Sequence, residues 1–319
     1  MILTVTLNAA IDRTVVVPSL RMGNRHRATE GRSSAGGKGV NVARALKLLG
    51  RPVIATGLAG GSNGTRILER LRRERILHDF TWIADESRIN LSIVDPTTGV
   101  QTEINERGPV VSEQEAESFI ERLTYLAAGA RLCALSGSLP PGLPEDFYAR
   151  LIEELRGRGV EVLLDTDGEP MRLGLPALPE VVAPNAIEAE SAAGFEFNDA
   201  DDLSAGLASL VEMGAREAIV TSPSGCAAIV GEGLERRRYD VSIETLEPVS
   251  ATGSGDCFLA GYAAARYEGR SPAECLALGV ACGAESTQHL GAGHLDRRAA
   301  ERMLTRVEVS EAAVPLGVA

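Results

Sequence analysis

The sequence predicts an α/β protein in which a mostly parallel sheet is covered by helices on both faces. Short β-branched or apolar runs alternate with longer segments of helical spacing, and this alternation extends over most of the chain. Polar residues follow the predicted strands, and open parallel sheets bind ligands at the carboxyl ends of their strands. A binding site is therefore expected at that edge of the sheet. The polar residues at these strand ends include Asn8, Ser138, Asp165, Asn185 and Ser222.

Composition narrows the class of protein. The 319 residues are 44% hydrophobic and contain no linker or long repeat, so we expect a single domain over residues 1–319. The formal net charge of −12 disfavours binding to nucleic acid or to an anionic membrane. Five widely spaced cysteines without a C-x-x-C pair favour buried free thiols. The N-terminus lacks signal-peptide features and no apolar run is long enough for a bilayer, so a cytoplasmic location is expected.

Each predicted element follows from a local pattern. Strands are expected where β-branched or apolar runs end at turn residues. These strands are 2–7, 12–18, 52–58, 88–95, 100–106, 131–136, 160–165, 180–183, 217–222, 226–230 and 234–239. Helices are expected where helical spacing follows a Gly-rich or capping turn. These helices lie between 35–39 and Gly50, at about 65–76, 112–128 and 145–157, after 184–188, at 202–213, and from 253 onward.

Three of the strands do not fit the β-α alternation. Strands 88–95 and 100–106 form a hairpin around a Pro-Thr-Thr-Gly turn, and strand 12–18 precedes a polar stretch with four arginines. We expect these three strands to form a small sheet that projects from the main body, as a lid would.

Residues 249–262 contain the groups that a small-molecule phosphotransferase needs. Thr252 is the predicted N-cap, glycines follow at 253 and 255, and Asp256 opens an apolar helix. The start of a helix offers unpaired N–H groups and the positive end of its dipole, and glycine lets a phosphate approach them. A carboxylate beside that phosphate could accept a proton from an attacking hydroxyl. The alternative is an ordinary turn in which Asp256 only complements the dipole.

A second Gly-rich turn lies at Gly36-Gly-Lys-Gly39. It is not a Walker A loop, because Arg32 and Gly39 replace the glycine and the hydroxyl residue of that motif, and no G-x-G-x-x-G is present. A P-loop NTPase and a Rossmann dehydrogenase are therefore not supported. The turn brings a backbone approach point and Lys38 before a helix with Asn41 in its first turn. A tight turn needed only for packing is the alternative.

Two further groups could bind a metal ion or a phosphate. Asn185 and Glu188 are three residues apart at a helix start, where they could hold a hydrated Mg²⁺. The alternative is a capping Asn and a Glu that favours the dipole. Arg88 and Asn90 begin the predicted hairpin, and arginine is a bidentate partner for phosphate. A solvated charge at the sheet edge is the alternative for Arg88.

Taken together, eight segments resemble the PfkB (ribokinase-like) family of carbohydrate kinases, in particular its 1-phosphofructokinase and tagatose-6-phosphate kinase branch. The segments occur in family order over nearly the whole chain, which makes the resemblance specific. They are TVTLNAAID at 4–12, AGGKGVNVA at 35–43, SRIN at 87–90, TEINE at 102–106, SGSLPPG at 136–142, DTDGE at 165–169, PNAIE at 184–188 and TGSGD at 252–256.

The resemblance implies a three-layer α/β/α sandwich with a mostly parallel central sheet and a small β-sheet lid formed by about 9–33 and 88–107. The family often uses this lid as a dimer clasp, so a homodimer formed through the lid is one assembly that the resemblance implies. MgATP is the implied donor, and a hexose phosphate is the implied acceptor. Fructose 1-phosphate, which would give fructose 1,6-bisphosphate, is favoured over tagatose 6-phosphate and fructose 6-phosphate. The remaining alternatives are a kinase for an unphosphorylated sugar or nucleoside, and a non-catalytic sugar-phosphate sensor.

The resemblance also implies roles for individual residues. Asp256 is the implied base, and the N–H groups around Gly253, Ser254 and Gly255 form the implied anion hole. Asn185 and Glu188 are the implied metal and phosphate-orienting pair, acting through water. The implied sugar-phosphate contacts are Asp12, Gly37, Lys38, Asn41, Arg88, Asn90 and Ser138. The implied nucleotide contacts, besides that pair and the anion hole, are Thr221, Ser222, Gly225 and Thr252. Residues 221–226 depart from the Ser-Leu-Gly-x-x-Gly pattern that is usual there.

Overall fold

A computed structural model of the protein describes residues 1–231 and 233–313. Its strands are β1 (Ile2–Thr6), β2 (Ala10–Val16), β3 (Glu30–Gly36), β4 (Val53–Gly60), β5 (Leu77–Ile83), β6 (Arg88–Asp95), β7 (Val100–Asn105), β8 (Leu132–Ser136), β9 (Glu161–Asp165), β10 (Val181–Val182), β11 (Glu217–Ser222), β12 (Gly225–Val230), β13 (Arg237–Ser242) and β14 (Glu308–Ala313). Its helices are α1 (Lys38–Leu48), α2 (Gly61–Arg73), α3 (Glu113–Ala127), α4 (Phe147–Arg156), α5 (Gly168–Gly174), α6 (Ala186–Ala193), α7 (Ala200–Glu212), α8 (Ser254–Tyr267), α9 (Pro272–Ser286) and α10 (Arg297–Met303).

The large sheet has the order β14-β13-β12-β11-β10-β9-β8-β1-β4-β5 within the described residues. Every pairing from β11 to β5 is parallel, and β12, β13 and β14 extend the sheet with antiparallel pairings. The predicted mostly parallel sheet is therefore confirmed. Parallel neighbours end at the same edge, so the loops after β1, β8, β9 and β10 lie side by side.

Two apolar layers cover the sheet because successive side chains of a strand point to opposite faces. Ile2 packs into a core with α1, α2, α8, α9 and α10, whereas Leu3 packs into a second core with helices α3 to α7. All five cysteines are buried and free, as predicted. Among the described residues, no helix combines the length and the apolar character needed to cross a bilayer.

The small sheet consists of β2, β3, β6 and β7 in the order β3-β2-β6-β7. Its separation from the large sheet confirms the prediction of strands outside the β-α alternation. The prediction of three strands was incomplete, because β3 pairs with β2 from Glu30 to Gly36. The sequence of β3, Glu-Gly-Arg-Ser-Ser-Ala-Gly, contains no β-branched or aromatic residue. Pairing with the neighbouring strand, rather than local propensity, therefore sets its conformation.

Other differences from the predicted elements are local. Strands β5 and β14 and helices α5, α9 and α10 were not predicted. Strand β13 begins at Arg237 rather than at residue 234, because Gly233–Glu235 forms a 3₁₀ turn. The N-cap of α8 is Gly253, so the prediction that Thr252 is the cap was wrong. The backbone of Gly253 has a φ of 82°, a left-handed conformation that glycine adopts more easily than threonine.

Candidate active site

A cavity of about 1420 Å³ lies between the small sheet and the carboxyl edge of the large sheet. It brings together residues from both ends of the chain, as the strand-end argument predicts. The predicted site residues that line it are Asp12, Gly37, Lys38, Asn41, Arg88, Asn90, Asn185, Glu188, Thr221, Ser222, Gly225, Thr252, Gly253, Ser254, Gly255 and Asp256. Ser138 does not line it, and its hydroxyl accepts a hydrogen bond from Asn8 Nδ2 at 3.3 Å.

The start of α8 faces the cavity. Gly253 precedes the helix, and a Cβ at this position would lie 2.6 Å from Cβ of Ala292, so a larger residue would displace the neighbouring loop. Ser254 and Gly255 form the first turn. The Ser254 N–H donates to the carbonyl oxygen of Ala251 at 3.2 Å, whereas the Gly255 N–H has no partner inside the helix. Asp256 follows in the same turn. An anion in the cavity would therefore meet the Gly255 N–H, the positive end of the dipole and a carboxylate at one point.

The Asp256 carboxylate is buried, with 5% of the residue exposed. Burial raises the pKa of Asp256 to about 7, and the negative charge of Asp165 adds to this rise. Lys38 and a hydrogen bond from Asn41 Nδ2 to Asp256 Oδ2, 2.8 Å long, oppose it. The group can thus gain or lose a proton near neutral pH, which is the property that a general base requires.

Lys38 lies among carboxylates. Its Nζ is 3.2 Å from Asp165 Oδ1 and 3.6 Å from Glu188 Oε1. Burial by itself would lower the pKa of Lys38, but Asp165, Glu188 and Asp256 together hold the pKa above its usual value, so the ammonium stays charged. The sequence indicates Asp165 only as a residue at a strand end and as part of the segment DTDGE. Its position beside Lys38 depends on the parallel pairing of β8 with β9, which spacing along the chain does not reveal.

Asn185 and Glu188 form a capping box at the start of α6. Asn185 Oδ1 accepts from the N–H of Glu188 at 2.9 Å, and Glu188 Oε2 accepts from the N–H of Asn185 at 3.0 Å. The capping interpretation is therefore correct for these atoms. The second oxygen, Glu188 Oε1, remains on the cavity side facing Lys38. The described residues contain no cluster of three or more His, Cys, Asp or Glu side chains that could hold a metal ion. A hydrated Mg²⁺ needs few protein ligands, and Glu188 Oε1 is the oxygen that such an ion could reach, in competition with Lys38 Nζ at 3.6 Å.

The small sheet contributes a second polar group to the cavity. Asn90 Nδ2 donates to Asp12 Oδ1 at 2.9 Å, and the opposite amide oxygen, Asn90 Oδ1, is buried without a hydrogen-bond partner in the described residues. Burial raises the pKa of Asp12, and the bond from Asn90 opposes that rise. A Cβ on Gly36 would lie 1.9 Å from Asp12 Oδ2, so a larger residue there would displace the Asp12 carboxylate.

Arg88 is held by two neutral carbonyl groups. Its Nε donates to the carbonyl oxygen of Asn8 at 3.1 Å, and its Nη1 donates to that of Glu106 at 2.9 Å. In the described ranges no carboxylate oxygen lies within 4.0 Å of the guanidinium. Burial lowers the pKa of Arg88, although Asp12 and Glu106 partly offset this effect. The side chain is thus oriented while its charge remains available to a ligand.

The small sheet also contacts the start of α8 directly. Thr252 Oγ1 accepts from Gln101 Nε2 at 3.2 Å and donates to Glu103 Oε1 at 3.2 Å. Gln101 was not predicted as a site residue, and Glu103 appeared only within the TEINE segment. Both contacts connect residues about 150 positions apart, so only the tertiary fold brings them together.

Thr221, Ser222 and Gly225 lie at the turn between β11 and β12, which borders the same cavity. Thr221 pairs with Asn185 in an isolated parallel bridge, so this turn is adjacent to the capping box. Gly225 has a φ of 143°, and a Cβ there would lie 1.9 Å from the carbonyl oxygen of Val241. The predicted nucleotide contacts are therefore neighbours in space.

This fold, with a buried carboxylate and an amide-lined helix start at one edge of the sheet, is that of a phosphotransferase that acts on a sugar hydroxyl. The chain belongs to the pfkB family of carbohydrate kinases, whose sequence model matches residues 3–298. The resemblance found in the sequence is thereby confirmed.

Solved structures of other proteins share this architecture. Phosphofructokinase-2 from Escherichia coli, in complex with fructose-6-phosphate, is 26% identical over 95% of this chain and 98% of its own, with a TM-score of 0.87. A Thermotoga maritima protein described as a possible 1-phosphofructokinase is 27% identical over 98% and 99%, with a TM-score of 0.87. Ribokinase from Arabidopsis thaliana, at 22% identity over 95% and 98% and a TM-score of 0.76, shares the ribokinase-like fold.

Proposed function

We propose that this kinase transfers the γ-phosphoryl group of ATP to a hydroxyl of a hexose phosphate, with Asp256 as the general base. The observation that carries the proposal is the position of Asp256, whose pKa is raised to about 7 directly beside the Gly253–Gly255 helix start. Fructose 1-phosphate is the favoured acceptor, and fructose 1,6-bisphosphate is the product. Tagatose 6-phosphate and fructose 6-phosphate are the alternatives, and similarity to a phosphofructokinase-2 solved with fructose-6-phosphate supports testing the latter.

Phosphoryl transfer depends mainly on alignment and on stabilising the charge of the transferring group. The N–H group of Gly255 and the positive end of the α8 dipole would stabilise the oxygens of that group, in a cavity where burial strengthens each interaction. Asp256 would accept the hydroxyl proton while the new bond to phosphorus forms. The ammonium of Lys38 lies between Asp165 and Glu188, where it would offset the negative charge that collects around Asp256.

The acceptor would lie on the side of the cavity formed by the small sheet. Asp12 and the unpartnered Asn90 Oδ1 are suited to accept hydrogen bonds from sugar hydroxyls. Arg88 would bind the phosphate already present on the sugar, since its Nη2 is left over by the two carbonyl contacts. A kinase for an unphosphorylated sugar would have no use for this oriented charge.

The nucleotide would lie on the opposite side, next to Thr221 and Ser222. Exposed apolar side chains line the same cavity, namely Ile187, Val249 and Leu290, which are 77%, 56% and 55% exposed. Exposed apolar residues around a polar site are suited to a planar base. In this proposal the donor would lie on one side of Asp256 and the acceptor, next to the small sheet, on the other.

Mg²⁺ would be held through water by Glu188 Oε1 and the Asn185 side chain. When bound, this ion would neutralise phosphate charge and orient the donor. The capping box keeps Glu188 in one rotamer, because Oε2 is fixed by the backbone of Asn185. The chain thereby presents one defined carboxylate oxygen to the cavity.

The small sheet would act as the lid, which we propose to consist of about 9–33 and 88–107, within a single domain over 1–319. In the described structure it already contacts the start of α8 through Thr252. Its outer face carries Val15, Ile93 and Ile104, of which Ile104 is 55% exposed, and such a face is suited to a second copy of the sheet. One phosphofructokinase-2 structure from Escherichia coli is a tetrameric inhibited form. Light scattering should give a dimer mass that Ile104→Asp reduces.

The test of the activity is a substrate panel with wild type and Asp256→Asn. Wild type should phosphorylate a hexose phosphate with MgATP much faster than the corresponding free hexose. Asp256→Asn should lower kcat by about 100-fold or more while ATP still binds, an effect typical of losing a general base. Binding of sugar phosphates without turnover by wild type would instead support a sensor, and near-normal kcat for Asp256→Asn would remove that residue from the reaction.

A further inference from the structure

Arg44 is buried next to the proposed base, yet the reaction described above does not use it. It lies three residues after Asn41 on α1, and 3% of its surface is exposed. A buried guanidinium is unfavourable unless its donors are satisfied. All the donors of the Arg44 guanidinium have acceptors, which come from four separate segments.

The five N–H groups of Arg44 all have acceptors. Nη1 donates to Asn41 Oδ1 at 2.9 Å and to the carbonyl oxygen of Ala292 at 3.1 Å. Nη2 donates to the carbonyl oxygen of Ala35 at 2.7 Å and to Glu74 Oε1 at 3.4 Å. Nε donates to Glu74 Oε2 at 2.6 Å. The planar guanidinium is therefore fixed in position and in orientation.

The bond from Arg44 to Asn41 has a consequence for Asp256. An amide can present either its oxygen or its NH₂ group, and hydrogen bonds decide which one faces a given neighbour. Arg44 only donates, so it holds Asn41 Oδ1 toward itself and leaves Nδ2 to donate to Asp256 Oδ2 at 2.8 Å. With the amide reversed, an oxygen would face the carboxylate.

We propose that Arg44 is a positioning residue that acts through Asn41 to hold Asp256 in its ionised, proton-accepting state. The inference rests on the proposed role of Asp256 as the base. In this arrangement Asn41 occupies Asp256 Oδ2, so the other oxygen, Oδ1, is left for the attacking hydroxyl. Together with Glu74 at the end of α2, these three side chains form one chain of hydrogen bonds through α1 to α8.

Arg44 also connects the parts of the backbone that surround the base. Ala35 is the last residue but one of the small-sheet strand β3, and Ala292 lies against Gly253 at the start of α8. The neighbouring Gly293 packs against Asn41, where a Cβ would lie 2.7 Å from the carbonyl oxygen of Asn41. The distance between the small sheet and the helix start is thus fixed at Arg44.

Several charged groups face this chain and must be considered in a pH experiment. Asp165, Lys38 and Asp12 act electrostatically on Asp256, and Asn41 is hydrogen-bonded to it. At the Arg44 end of these hydrogen bonds, the titratable groups near the guanidinium include Glu74, His294 and Cys257. Burial and Arg44 both lower the pKa of His294.

The test compares Arg44→Met with Glu74→Gln, measuring kcat/KM from about pH 5 to 9. Loss of Arg44 frees the Asn41 amide to rotate, so ionised Asp256 loses a donor and its apparent pKa should rise by about one pH unit. At pH 6 this change corresponds to an additional loss of about tenfold relative to pH 9. Glu74→Gln is the matched control, because it changes the same cluster without touching Asn41, and its midpoint should remain that of wild type.

Other results would separate the two proposals. If Asp256→Asn abolishes turnover but the midpoint of Arg44→Met equals that of wild type, the positioning role is refuted and the base remains. If Asp256→Asn turns over normally, the base itself is refuted.

Arg44→Lys retains the charge and replaces Arg44→Met in the pH experiment if Arg44→Met does not fold. It should give a smaller upward shift of the midpoint than the loss of the whole group, because lysine cannot reproduce the planar fork. For Arg44→Ala, guanidinium added below denaturing concentrations should restore turnover at pH 6 more than at pH 9. Equal restoration at both pH values, or a midpoint of Arg44→Lys equal to that of wild type, would indicate a purely structural residue.

Discussion

Replacing Asp256 with asparagine should stabilise the folded protein at alkaline pH while removing its activity. Burial raises the pKa of Asp256 from its usual 3.8 to about 7, so the folded state binds this proton more tightly than the unfolded state. The unfolding free energy therefore falls as the pH rises from about 4 to about 7. At about 1.4 kcal/mol per pKa unit, the ionised carboxylate destabilises the protein by at most about 4 kcal/mol. Asparagine is neutral and keeps the buried shape.

The assay is urea unfolding of both proteins, followed by circular dichroism without ligands at several pH values between 5 and 9. The stability advantage of Asp256→Asn should be less than about 2 kcal/mol near pH 5 and should approach about 4 kcal/mol above pH 7. Asp240→Asn is the control, because Asp240 is exposed and forms a surface ion pair with Arg238, so its effect should stay below about 1 kcal/mol at every pH. A difference between Asp256→Asn and wild type that does not change with pH would refute this account of the active-site charge.

Three further predictions concern different contacts. Arg88→Ala should raise KM for the hexose phosphate at least about tenfold and leave KM for ATP nearly unchanged, as expected for the loss of a charged hydrogen bond. Equal changes in the two KM values would contradict the phosphate contact. Thr252→Val should weaken the contact between the small sheet and α8, so ATP hydrolysis without acceptor should increase relative to sugar phosphorylation; an unchanged ratio in a coupled assay would refute that role. Arg266→Met should lower the unfolding free energy by about 3 kcal/mol, because Glu217, Glu161 and Glu180 lose the cation that they share. The molecules that remain folded should keep the KM values of wild type.

Local sequence patterns predicted most of the fold. The alternation of strands and helices depends on hydrophobic periodicity, which acts over a few residues and is visible in any single chain. Strand β3 and the cap of α8 were the informative failures. The pairing partner of β3 and the close approach of Ala292 to Gly253 come from distant segments. Local propensity therefore could not indicate them.

The candidate site was likewise predictable from the sequence only in part. Asp256, Lys38 and the Asn185–Glu188 pair were visible as residue types at suitable positions, because glycines, caps and strand ends are local signals. Their contacts were not visible. The ion pair of Lys38 with Asp165 spans 127 positions, and the bond from Asn41 to Asp256 spans 215.

The sequence by itself determined the family, the layered α/β fold and the identity of the residues that meet at the sheet edge. Only the tertiary structure decided how those residues are paired, and hence which of them are ionised. Burial and neighbouring charge set a pKa, and both depend on segments that are distant in the chain. The buried Arg44, which motif spacing did not single out, becomes relevant only when its four partner residues are assembled around it.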